Sequence, residues 1–147
     1  MHPDTDPLGK GLQLRQSLIS MGSGGVFGKG LGMSTIKSGL PMAMSDSIFA
    51  VIGEELGIVG CIAIIIAFIL FLWLGIKIAN SSSDKFAKMT AIGIVVWITF
   101  QSLINMASVI GIFPLAGIPL PFFSYGGTHL TVELVGVGLL LNISKNT

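Results

Sequence analysis

Apolar side chains are gathered into long unbroken runs separated by short polar breaks. Residues 56–76 carry no charge, and within them 62–74 is apolar on every face, so no polar stripe marks a water-facing side. A helix needs about 20 residues to cross the roughly 30 Å hydrocarbon layer. With its flanks, this run predicts a membrane helix over 47–79. Asn80-Ser81-Ser82-Ser83-Asp84-Lys85 is a polar connector. From Met89 the chain stays uncharged to His129, too long a stretch for one span, and Pro114, Pro119 and Pro121 divide it. Proline removes a backbone donor and restricts the residue before it. The pattern therefore predicts a second membrane helix over 89–112, an irregular loop over 113–125, and a short third helix over 126–143 interrupted by Glu133. Residues 1–46 are polar and glycine-rich, hold no run of span length, and are predicted to form a large loop.

Composition narrows the class. The 147 residues are 52 % hydrophobic and only 10 % charged, against about 25 % charged in a soluble domain. Too little polar surface exists for a cytosolic globule or a disordered tail. Eight Lys and Arg against seven Asp and Glu leave a net charge of +1, too little for a nucleic-acid module. The single cysteine excludes a disulfide framework and a thiolate zinc site. What remains is an all-α, polytopic integral membrane protein. Lys77, Lys85, Lys88 and Lys145 flank one side, while Lys10, Arg15, Lys29 and Lys37 lie on the other. The short connector is the stronger reporter of orientation, so residues 77–88 and Lys145 are placed in the cytoplasm. Residues 1–46 and the proline loop then share the outer face. The first residues lack the basic-then-apolar order of a signal peptide. With only three spans, the chain reads as the carboxyl-terminal part of a larger membrane protein.

Polar groups in or beside a membrane are costly and are the natural candidates for function. Asp46 sits between a glycine-rich segment and an apolar helix. There a carboxylate serves either as a helix N-cap, alongside Ser45 or Ser47, or as a group kept ionised by the positive helix end. Glu54 lies on the Asp46 side of that helix and Glu55 about 100° round it. One structural ion pair and one solvated group is the expected division between them. The loop from Gly111 to Gly127 is apolar yet broken by prolines and glycines. At membrane depth such backbone must be buried in protein or line a cavity; it suits either a groove for a lipid-linked substrate or a plain re-entrant connector. The run Gly22-Ser23-Gly24-Gly25-Val26-Phe27-Gly28-Lys29-Gly30 invites a phosphate-loop reading. The required glycine and hydroxyl are replaced by Ser23 and Gly30, however, so the motif fails. A flexible outer loop, or a backbone that approaches a diphosphate with Lys29 and Lys37, stays open. His129 and Glu133, one turn apart, suggest a structural pair. Gly53 and Gly57 have the spacing that lets helices approach, and Cys61 reads as an inert core residue.

Taken together, Gln13-Leu14-Arg15-Gln16-Ser17-Leu18-Ile19, the glycine run, Leu40-Pro41, Asp46 and Ile48-Phe49-Ala50-Val51-Ile52-Gly53-Glu54-Glu55-Leu56-Gly57 resemble the SEDS family of cell-wall polymerases. Pro119-Leu120-Pro121-Phe122-Phe123-Ser124-Tyr125-Gly126-Gly127 is similar to that family's signature near its carboxyl end. The resemblance runs from about Asp6 to Ile143, with both motifs in order. This chain departs at Met42, Met44 and Ser45, where the family commonly has Glu and His-Thr, and at Glu133, where a neutral residue is more usual. It keeps Asp46.

The resemblance implies the last three helices of a ten-span fold in the bacterial plasma (inner) membrane. It also implies a peptidoglycan glycosyltransferase that joins lipid II into glycan strands and releases undecaprenyl diphosphate. By that similarity Asp46 is the catalytic carboxylate. Arg15, Lys29, Lys37, Glu54, Pro119, Pro121, Ser124, Tyr125, Gly126 and Gly127 are candidates for substrate binding. A divalent cation, Mg or Mn, at the diphosphate is compatible with this chemistry, although no ligand cluster specifies one. The implied partners are lipid II, the growing strand, a class B penicillin-binding protein (a transpeptidase) and the division or elongation machinery. Ser34-Thr35-Ile36-Lys37 before Leu40-Pro41 leans toward the division type. The rival readings are a lipid II flippase, with the proline loop in the path, and a non-catalytic scaffold for a transpeptidase. Without the remaining helices, the chain is expected to lack activity on its own.

Overall fold

The computed structural model describes residues 10–33, 47–114 and 117–145. Among these residues there are four helices: α1 (Lys10–Gly24), α2 (Ile48–Ser81), α3 (Lys85–Val109) and α4 (Gly127–Lys145). Among the described residues there is no strand. The last three helices are long and apolar enough to cross a membrane, as the hydrophobic runs require.

α2 and α3 form an antiparallel pair. Ala79 and Ala91 are both fully buried, and a side chain at Gly75 would overlap Val95, so small residues let the two backbones close up. α4 joins at the same end through Leu140, which packs with Ala79, Ala91 and Val95. At the other end Phe49, Ile64, Phe68, Ile98, Met106, Val109 and Leu120 make the main core. The outer face of α2 (Ile58, Ile62, Ile66, Ile69 and Trp73) is left exposed. That is the surface expected of a helix whose solvent is hydrocarbon or further membrane helices.

The polar connector shapes the start of α3. Asp84 takes the N-cap position, and its carboxylate accepts from Phe86 N and Ala87 N at 3.3 and 3.1 Å. The helix therefore begins at Lys85, four residues before the apolar run. Asp84→Ala is expected to cost about 1 kcal/mol, read as a lower midpoint of thermal unfolding in detergent. At the far end Gly111, with φ 85°, turns the chain. Its N–H meets the Ser108 carbonyl at 3.1 Å and Ile112 N–H meets Ala107 at 2.9 Å. This left-handed glycine cap closes α3 at Val109, short of the expected 112. α4 continues past 143 to Lys145, whose charge suits the negative end of the helix.

The largest departure from the sequence reading is α1. Residues 1–46 read as loop, yet 10–24 are helical. Ser17, Ser20 and Gly24 face α2 as a stripe of small groups and are buried, while Ile19 is exposed. A side chain at Gly24 would collide with the Gly53 carbonyl. Close docking on α2, rather than an apolar face of its own, holds this helix.

Candidate functional site

α2 is not one continuous helix. Gly57 has φ 68° and ψ −162°, a conformation essentially open only to glycine. It separates a short arm, which ends at Leu56, from the long membrane helix. In an unbroken helix Ile58 N–H would donate to the Glu54 carbonyl and Val59 N–H to the Glu55 carbonyl. Here those groups pair with the glycine segment that follows α1. Lys29 N donates to Glu54 O at 2.9 Å and Gly30 N to Glu55 O at 3.1 Å. Ile58 N donates to Gly25 O at 3.1 Å and Val59 N to Val26 O at 3.3 Å. The glycine run is thus a strap laid into a broken helix. Its backbone comes so close that a side chain at Gly28 would overlap the Glu55 carbonyl. This is a local reason for glycine there, and no phosphate is needed to explain it.

Side chains reinforce the strap. Glu54 is 0 % exposed; one carboxylate oxygen accepts from Ser20 Oγ of α1, and the other is 3.0 Å from Lys29 Nζ of the strap. The Lys29 side chain is 37 % exposed, so the ammonium keeps a wet side while neutralising a buried anion. Glu55 is buried too, at 8 %. This corrects the expectation that one of the two glutamates would be solvated: the strap covers both. Gly53 fits the small-residue reading, with Met21 of α1 directly over it.

A second polar network holds the proline segment. Gln101 Nε2 donates to the Pro119 carbonyl at 3.2 Å and Asn105 Nδ2 to the Ile118 carbonyl at 2.6 Å. Gln101 lies two turns, roughly 12 Å, back from the end of α3. Residues 118–122 therefore descend along α3 instead of crossing over the surface. Pro121 and Leu120 are fully buried, and Phe122 meets Phe71 of α2 edge-on, with centroids 6.1 Å apart. Phe122 has φ 65°, a strained setting for a bulky residue. Its N–H donates to Glu133 Oε2 at 2.8 Å. The other oxygen of Glu133 pairs with His129 Nδ1 at 2.7 Å, and His129 Nε2 lies 3.3 Å from Gln101 Nε2. Every irregular carbonyl or amide named here thus finds a protein partner at membrane depth, as burial in hydrocarbon demands. Beside this segment Val96, Trp97, Phe100, Gln101, Ile104 and Ile118 line an open apolar groove of about 290 Å3.

Glu133, 2 % exposed, is the centre of that network. Glu133→Ala leaves the Phe122 N–H and the His129 imidazole without their partner. It is expected to cost about 2–4 kcal/mol, seen as a fall in the unfolding midpoint in detergent. Glu133→Gln, which still accepts from Phe122 N, is expected to recover about half of the loss.

The candidates named from sequence fall into three groups. Asp46 and Lys37 lie outside the described residues. Lys29 and Glu54 are brought together as an ion pair, with Arg15 on the exposed side of α1. Pro119, Pro121, Ser124, Tyr125, Gly126 and Gly127 lie on the descending segment and at the start of α4. There Ser124 N donates to Leu120 O at 3.0 Å and Tyr125 is 86 % exposed. Ser20, Gln101 and Asn105 went unnoticed in the sequence. For the last two the signal was present: amides one turn apart on an otherwise apolar span. Among the described residues no three His, Cys, Asp or Glu side chains come together to hold a metal ion, so they offer a divalent cation no ready donor set.

Three membrane-length helices, a broken helix strapped from outside and an irregular segment buried at depth define a polytopic α-helical membrane protein. The chain belongs to the FtsW/RodA/SpoVE family, described as cell cycle proteins, whose model matches residues 1–147. It is 47 % identical over 146 residues to stage V sporulation protein E of Bacillus subtilis, covering 99 % of this chain and 40 % of that protein. It is 46 % identical over 145 residues to a probable peptidoglycan glycosyltransferase FtsW of Trichlorobacter lovleyi, covering 98 % and 38 %. The chain therefore spans about two fifths of the length of these relatives. Among solved structures, a chain of a peptidoglycan synthase complex that coordinates polymerization and crosslinking superposes with a TM-score of 0.79 at 26 % identity, covering 98 % of this chain and 39 % of that one.

Proposed function

We propose that the protein, as a complete polytopic assembly of helices, is a peptidoglycan glycosyltransferase of the bacterial plasma membrane that polymerises lipid II. The observation that carries this reading is the 46 % identity, over 145 residues, to a relative named as such a transferase. In this reading the hydroxyl of the acceptor sugar attacks the anomeric carbon of the donor. The bond from that carbon to the diphosphate breaks, undecaprenyl diphosphate leaves, and the hydroxyl proton passes to the Asp46 carboxylate. A sugar hydroxyl is a weak nucleophile, so a positioned base lowers the barrier. The departing diphosphate gains charge that cations on the same face would offset. Arg15 and Lys37 are candidates for this role, as is Lys29, whose ammonium keeps a wet side beside Glu54.

The exposed apolar faces of the membrane helices and the groove beside Ile118 suit lipid-linked substrate and further helices. A class B penicillin-binding protein as partner is supported by the synthase complex to which the structure is similar. The relatives named FtsW favour a role in division. The test is the full-length protein in vesicles supplied with lipid II, with and without the transpeptidase. Formation of glycan strands supports the polymerase. Movement of lipid II across the bilayer with no polymer formed overturns it in favour of a flippase, and neither outcome leaves a scaffold.

A further inference from the structure

The break at Gly57 has a mechanical consequence. A residue at the start of an unbroken membrane helix inherits its position from that helix. The arm that begins at Ile48 does not, because its helical bonds stop before Gly57. Asp46 stands two residues ahead of Ile48 in sequence, so whatever fixes the arm fixes the point from which Asp46 departs. Three kinds of contact do so. Phe49 and Ala50 are buried in the core. The strap supplies backbone bonds on both sides of the break. Glu54 ties the arm to α1 through Ser20 and to the strap through Lys29. Both carboxylate oxygens are occupied and the side chain has no exposure, so Glu54 has no free edge to offer a sugar or a diphosphate.

We propose that Glu54, with Lys29 and Ser20, is a positioning residue for catalysis: it holds the arm of α2 at the angle from which Asp46 meets the acceptor hydroxyl. The proposal rests on the reading of Asp46 as the base. A misplacement of about 1 Å in a catalytic group costs on the order of 100-fold in rate. Releasing the arm therefore lowers turnover and leaves substrate affinity in place.

The experiment uses the full-length protein in lipid nanodiscs, with lipid II as substrate, and compares Glu54→Ala, Glu54→Gln, Lys29→Met and Asp46→Asn. Amide hydrogen exchange over residues 25–33 is measured on the same samples. For Glu54→Ala, kcat is expected to fall about 10- to 100-fold with KM within about twofold. Exchange is expected to quicken over 25–33 and to stay unchanged over 62–79. Glu54→Gln, which keeps the Ser20 contact, should recover part of kcat. If Glu54→Ala does not accumulate in the membrane, Lys29→Met carries the test, with a kcat loss of about 3- to 10-fold and the same local rise in exchange. A raised KM with kcat intact would place Glu54 on the substrate and overturn the proposal. Unchanged kcat, or unchanged exchange over 25–33, would also overturn it, and if Asp46→Asn is inactive in the same series the polymerase reading survives. An active Asp46→Asn sinks both.

Discussion

Asp46→Asn is expected to lower polymerisation of lipid II by 100-fold or more while the protein still inserts and melts as the unmodified form does. The choice of asparagine separates two roles. Asn and Asp are about equally good at a helix N-cap, so a residue that served only to satisfy free N–H groups would lose a few tenths of a kcal/mol and no activity. What Asn lacks is basicity. A general base contributes roughly 100- to 10,000-fold to a reaction of this kind, and that factor vanishes with the carboxylate even when the shape is kept. Helix α2 starts at Ile48 with Ser47 in the N-cap position and without a side-chain capping bond from it. The Ser47 carbonyl accepts from Ala50 N and Val51 N, which opens the helical ladder of the arm. The decisive measurement is glycan formed per unit time in vesicles, normalised to inserted protein. Activity within a few fold of the unmodified form would reduce Asp46 to a cap and remove the base from the mechanism.

The parts of this molecule that hydrocarbon imposes were legible in its sequence. A layer that offers no hydrogen bonds requires long uncharged runs, and these mark α2, α3 and α4. The three prolines announced an irregular segment that had to be buried in protein or line a cavity, and the structure holds it against Gln101, Asn105 and Glu133. His129 and Glu133, one turn apart, were readable as a pair because helical spacing is local. What stayed hidden depends on contacts between distant segments. Nothing in the composition of 10–24 predicts α1, since its stripe of Ser17, Ser20 and Gly24 is meaningful only against Gly53 and Glu54. Gly57 stands among other glycines at 53 and 60, and no local rule says which of them breaks the helix. Burial of Glu55 follows from the strap, whose pairing spans about thirty residues of sequence. The descent of residues 118–122 along α3 is likewise a tertiary fact, because prolines specify irregularity but not depth.

Gly57→Ala is expected to dislodge the strap and to lower stability by about 2–5 kcal/mol, the sum of a forbidden backbone setting and an overpacked contact. With φ 68° and ψ −162°, Gly57 occupies a region that a side chain closes. A Cβ there would also stand 2.5 Å from Gly28 N and Val26 O. Alanine has an escape that a bulkier residue lacks, because it is the best helix former. The break can heal. Ile58 N–H then returns to the Glu54 carbonyl and Val59 N–H to the Glu55 carbonyl, and the four bonds now made with Gly25, Val26, Lys29 and Gly30 are given up for two. The healed form keeps its membrane helix and gains a little helical signal in circular dichroism. It loses the half-buried Lys29–Glu54 pair and with it the setting of the arm ahead of the span. Amide exchange over 25–33 should rise at least 10-fold, since about 1 kcal/mol per lost bond exceeds that factor when several go together. Polymerisation should fall with it. Gly28→Ala attacks the same contact from the strap, where its Cβ meets the Glu55 carbonyl. The two substitutions combined should cost little more than either alone, because each already breaks the one joint they share. A variant at Gly57 that melts and exchanges like the unmodified protein would show that the break bears no strain and that the strap is not what fills it.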